Sequence, residues 1–249
     1  MKKIINNFLN LLGYNISKKI NYNFDHIYIK YFNDGQKKIF FDIGANEGQT
    51  INRFNKICSN FEIHAFEPLK SAYELLNVKF SNNDKVKLNN CALGEKLEKK
   101  KIKVFKNSAN SSFNGPLSDS LWESKKKIKL NSNELISTEE EVDVKTVDNY
   151  CEKKMIKKLD LLKIDVQGWE EKVLIGAEDT LKSGSIKFIE VEFIMGNQYE
   201  NRLNIIDIEK HLINNKFRLF GISQRGDLLN KSDISLDLLY ANTDYIEVK

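Results

Sequence analysis

Proline and cysteine are scarce in this chain, and no apolar run is long enough to cross a bilayer. Only 2 prolines occur among 249 residues, so no proline-rich linker is present. The three cysteines, Cys58, Cys91 and Cys151, are far apart and form no C-x-x-C pair, which argues against a disulfide framework and against a zinc site. This usage indicates a reducing compartment. We expect a cytoplasmic protein, with the inner face of the membrane as the alternative location.

The chain also lacks a strong excess of charge of either sign. Lys and Arg total 39 against 35 Asp and Glu, a formal net charge of +4. This excess is too small to indicate nucleic-acid binding. The lysine runs at residues 99–101 and 125–127 are typical of solvated faces or loops. The length suits one α/β domain with a modest extension.

Residues 1–38 form the predicted N-terminal extension, and residues 39–249 form the main domain. Residues 1–19 combine two early lysines with spaced apolar side chains, which predicts a short amphipathic helix packed on the domain. An interfacial membrane helix is the alternative, whereas a signal peptide is disfavoured because asparagines interrupt the apolar region. Residues 14–38 are rich in aromatic side chains, and we expect a partly helical segment that packs near the mouth of the ligand site.

The stretch that organises the domain is IFFDIGANEGQT, at residues 39–50. Its apolar start, interrupted by Asp42, predicts a strand buried on both faces, and Gly44 and Gly48 then flank a tight turn before a helix. Such a unit places a ligand at the carboxyl end of a parallel sheet. The G-x-G-x-x-G fingerprint of dinucleotide sites is absent, and Asp42 and Glu47 would repel a pyrophosphate. A ligand with an ammonium or a sulfonium suits these carboxylates, and S-adenosylmethionine carries both.

Alternating strand and helix patterns continue along the chain. They predict an α/β fold with a mostly parallel sheet, right-handed crossovers and a terminal antiparallel strand pair. Predicted strands lie at residues 39–43, 61–66, 86–88, 102–105, 159–166, 185–193, 217–223 and 238–248, and predicted helices at 50–57, 69–80, 169–182 and 205–215. An alternating pattern also occupies residues 142–150, where we expect Asp148 to cap a short helix. A polar, serine-rich insertion at about residues 107–141 has the character of a long loop, such as a lid or a binding segment.

Four carboxylates end or follow predicted parallel strands: Asp42, Glu67, Asp165 and Glu192. The carboxyl ends of parallel strands share one edge of a sheet, so these groups would repel one another unless a cation or hydrogen-bond donors compensate. A ligand with an ammonium, a sulfonium and ribose hydroxyls supplies both the positive charge and the hydrogen-bond donors. Glu67 lies about twenty residues beyond the glycine loop, the offset at which a second-strand acid binds a ribose.

Five motifs, read together and in order, resemble one family. FDIGANEGQT, AFEP, NNCALGE, VKTVDNY and LLKIDVQGWEEKVLIGAED are similar to segments of the FkbM-type methyltransferases. The resemblance covers roughly residues 39–192. It implies a Rossmann-like seven-stranded methyltransferase fold, S-adenosylmethionine as the cofactor, and O-methylation of a sugar hydroxyl in a surface glycan or its precursor. Methylation of a small natural product is the alternative reaction within this family.

The resemblance also implies roles for individual residues. Asp42, Gly44 and Asn46 would form the loop at the methionine end of the cofactor. Glu67 would hold the ribose. The remaining implied positions are Asn90 and Ala92 beside the adenine, and Asp165, Gly168 and Glu170 next to the transferable methyl group.

A sugar hydroxyl has a high pKa, so we expect a general base to assist its methylation. Asp165 is the first candidate for this base and Glu192 the second. His64, inside a predicted strand, and His211, on a predicted helix, are interpreted as structural. The sequence supports no metal site, although Asp165 and Glu192 could in principle share a divalent ion.

Two rival hypotheses come from other functional classes. A nucleotide-dependent oxidoreductase or epimerase is disfavoured because both the dinucleotide fingerprint and a Y-x-x-x-K stretch are missing. A binding module without turnover is disfavoured by the complete set of Asp42, Glu67 and Asp165. We further expect the acceptor to be a glycan or a small molecule and expect no nucleic-acid partner. The sequence does not decide between a monomer and a homodimer.

Overall fold

The computed structural model describes residues 24–201, 203–225 and 234–246. The helix predicted for residues 1–19 lies outside these ranges. The described strands are β1 (Lys38–Ile43), β2 (Phe61–Phe66), β3 (Val86–Asn89), β4 (Ala92–Leu93), β5 (Glu98–Phe105), β6 (Ile136–Lys145), β7 (Leu159–Ile164), β8 (Ile186–Ile194), β9 (Phe217–Arg225) and β10 (Ser235–Asn242). The described helices are α1 (Asp25–Phe32), α2 (Gln49–Ile57), α3 (Lys70–Phe80), α4 (Leu121–Leu130), α5 (Val147–Lys154), α6 (Glu170–Ile175), α7 (Glu178–Lys182) and α8 (Ile205–Ile213).

The main sheet has seven strands in the order β3-β2-β1-β7-β8-β10-β9. Strands β3, β2, β1, β7 and β8 pair in parallel, and β10 pairs antiparallel with both β8 and β9. This confirms the predicted Rossmann-like fold with its terminal antiparallel pair. The strand order reverses between β1 and β7, and such a reversal opens a crevice at the carboxyl ends of the strands.

The insertion is more ordered than a loop. It contains a 3₁₀ turn at Ser108–Asn110, helix α4 and the first part of β6, which belongs to a second sheet in the order β4-β6-β5. Lysines of β5 face glutamates of β6, as in the pairs Lys101–Glu141 and Lys103–Glu139. Opposite charges at facing positions stabilise an antiparallel pair. The prediction of a long loop is therefore wrong, because the end of the insertion forms a strand whose glutamates face lysines of β5, which precedes the insertion.

Several predicted elements have different bounds in the structure. Strands β5 and β6 begin earlier than predicted, and β6 ends at Lys145, before α5. The helix expected at residues 169–182 is split into α6 and α7, since the carbonyl of Gly176 accepts a hydrogen bond from the Asp148 N–H at 3.0 Å. Strand β10 begins at Ser235 and ends at Asn242, earlier than the predicted strand. The carbonyl of Asn242 accepts the Tyr245 N–H at 3.1 Å, which makes a turn after the strand.

Hydrophobic clusters cover both faces of the sheet. Phe40 and Phe41 of β1 point to opposite faces, and each is fully buried in its own cluster. Helix α1 packs on the Phe40 face, where the rings of Phe32 and Phe40 lie 4.9 Å apart. Within the described ranges, no helix has both the length and the apolar character needed to cross a membrane.

A buried ionic cluster attaches α1 to the sheet. The Tyr28 hydroxyl donates to Glu190, whose side chain is only 2% exposed. Arg53 of α2 donates to Asp25 at 2.6 Å and to Glu190 at 3.3 Å. Burial, followed by the neighbouring Glu190 carboxylate, raises the pKa of Tyr28. Glu190 is buried beneath α1, and burying its carboxylate is costly. The Arg53 guanidinium supplies the opposite charge that offsets this cost.

We expect Arg53→Met to lower the free energy of unfolding by about 3–5 kcal/mol, because it leaves the Glu190 carboxylate buried without its cation. Lys79→Met is the matched control, since Lys79 pairs with Glu47 where the two side chains are 42% and 50% exposed. That pair is worth about 0–1 kcal/mol. Urea unfolding of both variants measures the difference, and equal losses would contradict the role of the cluster.

Candidate functional site

A cavity of about 430 Å³ lies at the carboxyl ends of β1, β2 and β7. Its volume falls within the range of roughly 300–1,000 Å³ that is usual for small-molecule sites. Gly44, Asn46, Glu67, Ala92 and Asp165 all line it, so the structure brings most of the predicted site residues together. Residues 24–38 contribute no lining residue. The expectation that this part of the extension packs near the ligand mouth is therefore wrong.

The loop after β1 approaches the end of β7 very closely. Gly44 has a φ of +86°, a left-handed conformation that favours glycine. A Cβ atom at this position would lie 1.9 Å from the carbonyl oxygen of Asp165. The Asp165 N–H in turn donates to the Ile43 carbonyl at 3.0 Å. The two loops therefore form one continuous wall of the cavity, and a side chain at position 44 would separate them.

Glu67 shapes the loop as well as facing the cavity. Its Oε2 accepts the Asn46 N–H at 2.8 Å and its Oε1 accepts the Leu69 N–H at 2.9 Å. The residue is only 5% exposed, and burial raises the pKa of its carboxyl to about 7. Each carboxylate oxygen can accept one more hydrogen bond, so Glu67 is suited to a pair of neighbouring hydroxyl groups. The sequence did not predict its bonds to the two loops.

Asp42 lies behind the cavity wall and not in it. The residue is fully buried, and neither carboxylate oxygen has a hydrogen-bond partner among the described residues. The Lys163 Nζ is 3.5 Å from Oδ1. Burial raises the pKa of Asp42, and the nearby ammonium of Lys163 opposes this shift. Asp42 is thus connected to the cavity through Lys163, which lines it. A direct contact between Asp42 and a cofactor stays a prediction.

Lys163 is a site residue that the sequence analysis missed. It lines the cavity, is 5% exposed, and its Nζ lies 3.4 Å from Asp165 Oδ2 as well as 3.5 Å from Asp42 Oδ1. The available signal was a lysine in the middle of LDLLKI, a strand that is otherwise apolar except for Asp160. Such a buried cation needs carboxylate partners. They are Asp42 of the neighbouring strand β1 and Asp165, which directly follows β7.

Gln167 connects the two carboxylates predicted to be catalytic. Its Nε2 donates to Asp165 Oδ1 at 3.1 Å and to Glu192 Oε2 at 2.7 Å, and its Oε1 lies 3.0 Å from the Tyr199 hydroxyl. Asp165 and Gln167 line the cavity, whereas Glu192 does not. This geometry favours Asp165 over Glu192 as the group that meets a substrate. Amide hydrogens between the two carboxylates disfavour a shared divalent ion, and the described residues contain no cluster of three or more metal-ligating side chains.

Glu170 organises the loop that follows Asp165. Its Oε1 accepts the N–H groups of Val166 and Gly168, each at 3.1 Å. Burial raises the pKa of Glu170 to about 7. Trp169, and not Asp165, is the residue that precedes α6. The side chain of Asp165 is therefore not used as a helix cap, and the residue lines the cavity.

The other predicted residues have more varied places. Ala92 lines the cavity, but the exposed Asn90 holds a neighbouring loop by donating to the carbonyls of Glu67 at 2.9 Å and Pro68 at 3.0 Å. His64 is structural, since it contacts the Tyr150 hydroxyl at 2.8 Å and Glu62 at 3.0 Å.

Comparison with known proteins identifies the class of this site. The model of the Methyltransferase FkbM domain matches residues 42–219. The chain therefore belongs to the FkbM methyltransferase family and is a methyltransferase. This membership contradicts the alternatives of an oxidoreductase, an epimerase and a binding module without turnover.

Individual relatives are more distant. The chain is 25% identical over 167 residues to the 2-O-methyltransferase NoeI of Sinorhizobium fredii, a match covering 66% of this chain and 67% of that protein. An rRNA methylase from Streptococcus thermophilus is similar with a TM-score of 0.49 and 9% identity, over 91% of this chain and 98% of the other. Magnesium protoporphyrin IX methyltransferase from Synechocystis, solved with bound SAM, is similar with a TM-score of 0.48 and 9% identity, over 97% and 96%. The fold assignment rests on this chain's own strand order.

We expect Gly44→Ala to destabilise the protein more than Gly35→Ala. Both glycines have left-handed φ values, +86° and +84°, but a Cβ at position 35 meets no atom within 4 Å. Backbone strain alone costs about 1–2 kcal/mol, and the contact with the Asp165 carbonyl should raise the cost at position 44 to about 2–5 kcal/mol. Urea unfolding measures both variants, and an equal loss would show that the close approach of the two loops is unimportant.

Proposed function

We propose that this methyltransferase uses S-adenosylmethionine to methylate a sugar hydroxyl of a surface glycan or its precursor. The observation that carries the proposal is the cavity at the strand reversal, where Glu67 and Asp165 lie on either side of the Gly44 loop. The similarity to a protein named as a 2-O-methyltransferase supports an oxygen acceptor.

The residues present fit this cofactor. Glu67 would accept the two ribose hydroxyls, because each of its oxygens retains acceptor capacity after binding one N–H group. Gly44 has no side chain to obstruct the methionine end, and Ala92 leaves room for the adenine. Asp165, at the same edge of the cavity, would lie next to the transferable methyl group.

The bound cofactor would supply an electrophilic methyl group, and the chain's own residues would prepare the acceptor. Asp165 would accept the hydroxyl proton through a carboxylate oxygen that faces the cavity. Lys163, 3.4 Å from Oδ2, and Gln167, 3.1 Å from Oδ1, hold that carboxylate in place. Fixing the acceptor oxygen against the methyl group supplies much of the expected rate enhancement.

Calorimetry should show binding of S-adenosylmethionine and no binding of NAD. In Glu67→Ala we expect the dissociation constant for S-adenosylmethionine to rise by about one to two orders of magnitude, on the scale of lost charge-assisted hydrogen bonds. Glu47→Ala is the control, because Glu47 is an acidic residue of the neighbouring loop that pairs with Lys79 at 3.2 Å and does not line the cavity. Binding of NAD alone would contradict the proposal, and an unchanged constant in folded Glu67→Ala would contradict the ribose role.

The same measurement has a predicted pH dependence. Burial raises the pKa of Glu67 to about 7, and hydroxyl donors bind the ionised carboxylate better than the protonated one. Binding should therefore strengthen as the pH rises from 6 to 8, with affinity at pH 6 about tenfold below its plateau. Glu67→Gln should remove this dependence. Retention of the full dependence in that variant would assign it to another group.

We expect Asp165→Asn to keep the fold and cofactor binding while slowing methyl transfer by about two to four orders of magnitude, because an amide accepts no proton. Mass spectrometry of surface glycans from a strain lacking the protein would first identify the acceptor. Wild type, but not Asp165→Asn, should restore methylation there, and single-turnover rates on that acceptor give the magnitude. A rate within a few-fold of wild type would remove the base role from Asp165. Glu192→Gln then tests the second candidate.

The other expectations about the chain's surroundings stay predictions. They are the cytoplasmic location, contact of residues 1–19 with a membrane, the absence of a nucleic-acid partner, and homodimer formation.

A further inference from the structure

A second, smaller cavity of about 110 Å³ lies beside α4. Lys126, Lys129, Asn107 and Asn110 provide its polar lining, and Trp122 is among its apolar residues. A water molecule occupies about 30 Å³ in the liquid. The cavity is therefore larger than one water molecule and has space for a small anion such as a phosphate group.

The two cavities share one wall. Ser108 and Ala109 of the 3₁₀ turn line the large cavity, whereas Asn107 and Asn110 on either side of them line the small one. A molecule that reaches over this short turn would contact both cavities. The small cavity is therefore placed beside the ligand site and not on a distant surface.

A chain of polar contacts connects this wall to Asp165, in which the single Tyr199 hydroxyl hydrogen is donated either to the Asn110 carbonyl or to Gln167 Oε1. The Asn110 carbonyl lies 2.9 Å from the Tyr199 hydroxyl, which in turn lies 3.0 Å from Gln167 Oε1. Gln167 then donates to Asp165 at 3.1 Å. The position of the wall is thus tied to the carboxylate proposed to act on the acceptor.

The cavities differ in charge. The large one is lined by Glu67 and Asp165 with Lys163 as its cation, which suits a cofactor that carries positive charge. The residues that line the small one include Lys126 and Lys129 and no carboxylate. Two ammonium groups beside one concave surface attract an anion, and amide groups add hydrogen-bond donors.

The packed ring of Trp122 forms an ordered wall of the small cavity. The residue is only 2% exposed, and its ring packs 5.7 Å from that of Tyr199 and 6.3 Å from that of Phe105. The Lys126 Nζ lies 5.5 Å from the Trp122 ring. A lysine-rich helix usually presents a solvated face, but here Lys126 and Lys129 border a cavity with an ordered aromatic wall.

We propose that this cavity binds the phosphate group of a phosphorylated sugar, which is the acceptor of the methyl group. The inference rests on the proposed function and adds the chemical class of the acceptor. The sugar would extend over the 3₁₀ turn, with its hydroxyl at Asp165 and its phosphate between Lys126 and Lys129.

The two tryptophans allow each cavity to be followed separately. Trp169 lines the large cavity and Trp122 the small one, and the chain has only 2 tryptophans. Fluorescence of a Trp169→Phe variant therefore reports on the small cavity, and that of Trp122→Phe on the large one. Glucose 1-phosphate, UDP-glucose, inorganic phosphate and glucose serve as probes, with chloride at matched ionic strength as the blank.

We expect Trp122 to give a saturable response to both phosphorylated sugars, a weaker one to inorganic phosphate and none to glucose. Comparing the two phosphorylated sugars shows whether a monophosphate or a nucleoside diphosphate fits better. In the Lys126→Gln, Lys129→Gln double variant the dissociation constant should rise at least about tenfold, as expected for lost charge-assisted contacts. Lys125→Gln, on the same helix but outside the lining, should change it less than about threefold.

Several outcomes would overturn the inference. These are no Trp122 response, an equal response to chloride, no gain from the sugar over inorganic phosphate, or unchanged binding in the double variant. If Trp169 responds to S-adenosylmethionine and Trp122 responds to none of the phosphate probes, the phosphate site is contradicted and the cofactor site is not. If Trp122 responds to the phosphate probes and Trp169 does not respond to S-adenosylmethionine, the small cavity is an anion site but the proposed cofactor is contradicted. The proposed role of the small cavity in binding the methyl acceptor is then contradicted as well.

Discussion

The charge balance around Lys163 is the constraint on which the site depends. Asp42 and Asp165 are brought together by the parallel pairing of β1 with β7, and Lys163 lies 3.5 Å from one and 3.4 Å from the other. Removing these charges from water is costly unless each has a close partner of opposite sign. The lysine therefore allows a carboxylate to face the cavity while another is buried directly behind it.

The loops around the cavity hold one another through side chains that bind backbone groups. Glu67 binds the loops on both sides of itself, and Glu170 binds the turn that follows Asp165. The insertion joins the same assembly, because Ser112 donates to the Gln167 carbonyl at 2.6 Å and Asn114 to that of Gly168 at 2.8 Å. A site built on such bonds is largely pre-formed, which lowers the entropic cost of ordering a ligand.

Sequence patterns predicted the residues whose roles follow from strand ends. Gly44, Glu67 and Asp165 were found because buried parallel strands end in one edge and because glycine and acidic residues at that edge are uncommon in a packed core. Lys163 and Gln167 were missed, since each has a second partner far along the chain, Asp42 for Lys163 and Glu192 for Gln167. Helix α4 was missed because its polar sequence, LWESKKKIKL, has little apolar periodicity and buries only Trp122 fully.

By itself the sequence determined the order of strands and helices, the parallel sheet and the position of the cofactor-type loop, because these depend on hydrophobic periodicity and on local turn chemistry. Only the tertiary structure decided which carboxylate faces the cavity, which one is covered by a lysine, and that an amide joins Asp165 to Glu192. It also decided that the insertion forms a second cavity of opposite charge. These features depend on distances between residues far apart in the chain, and a pattern of neighbouring residues carries no information about such distances.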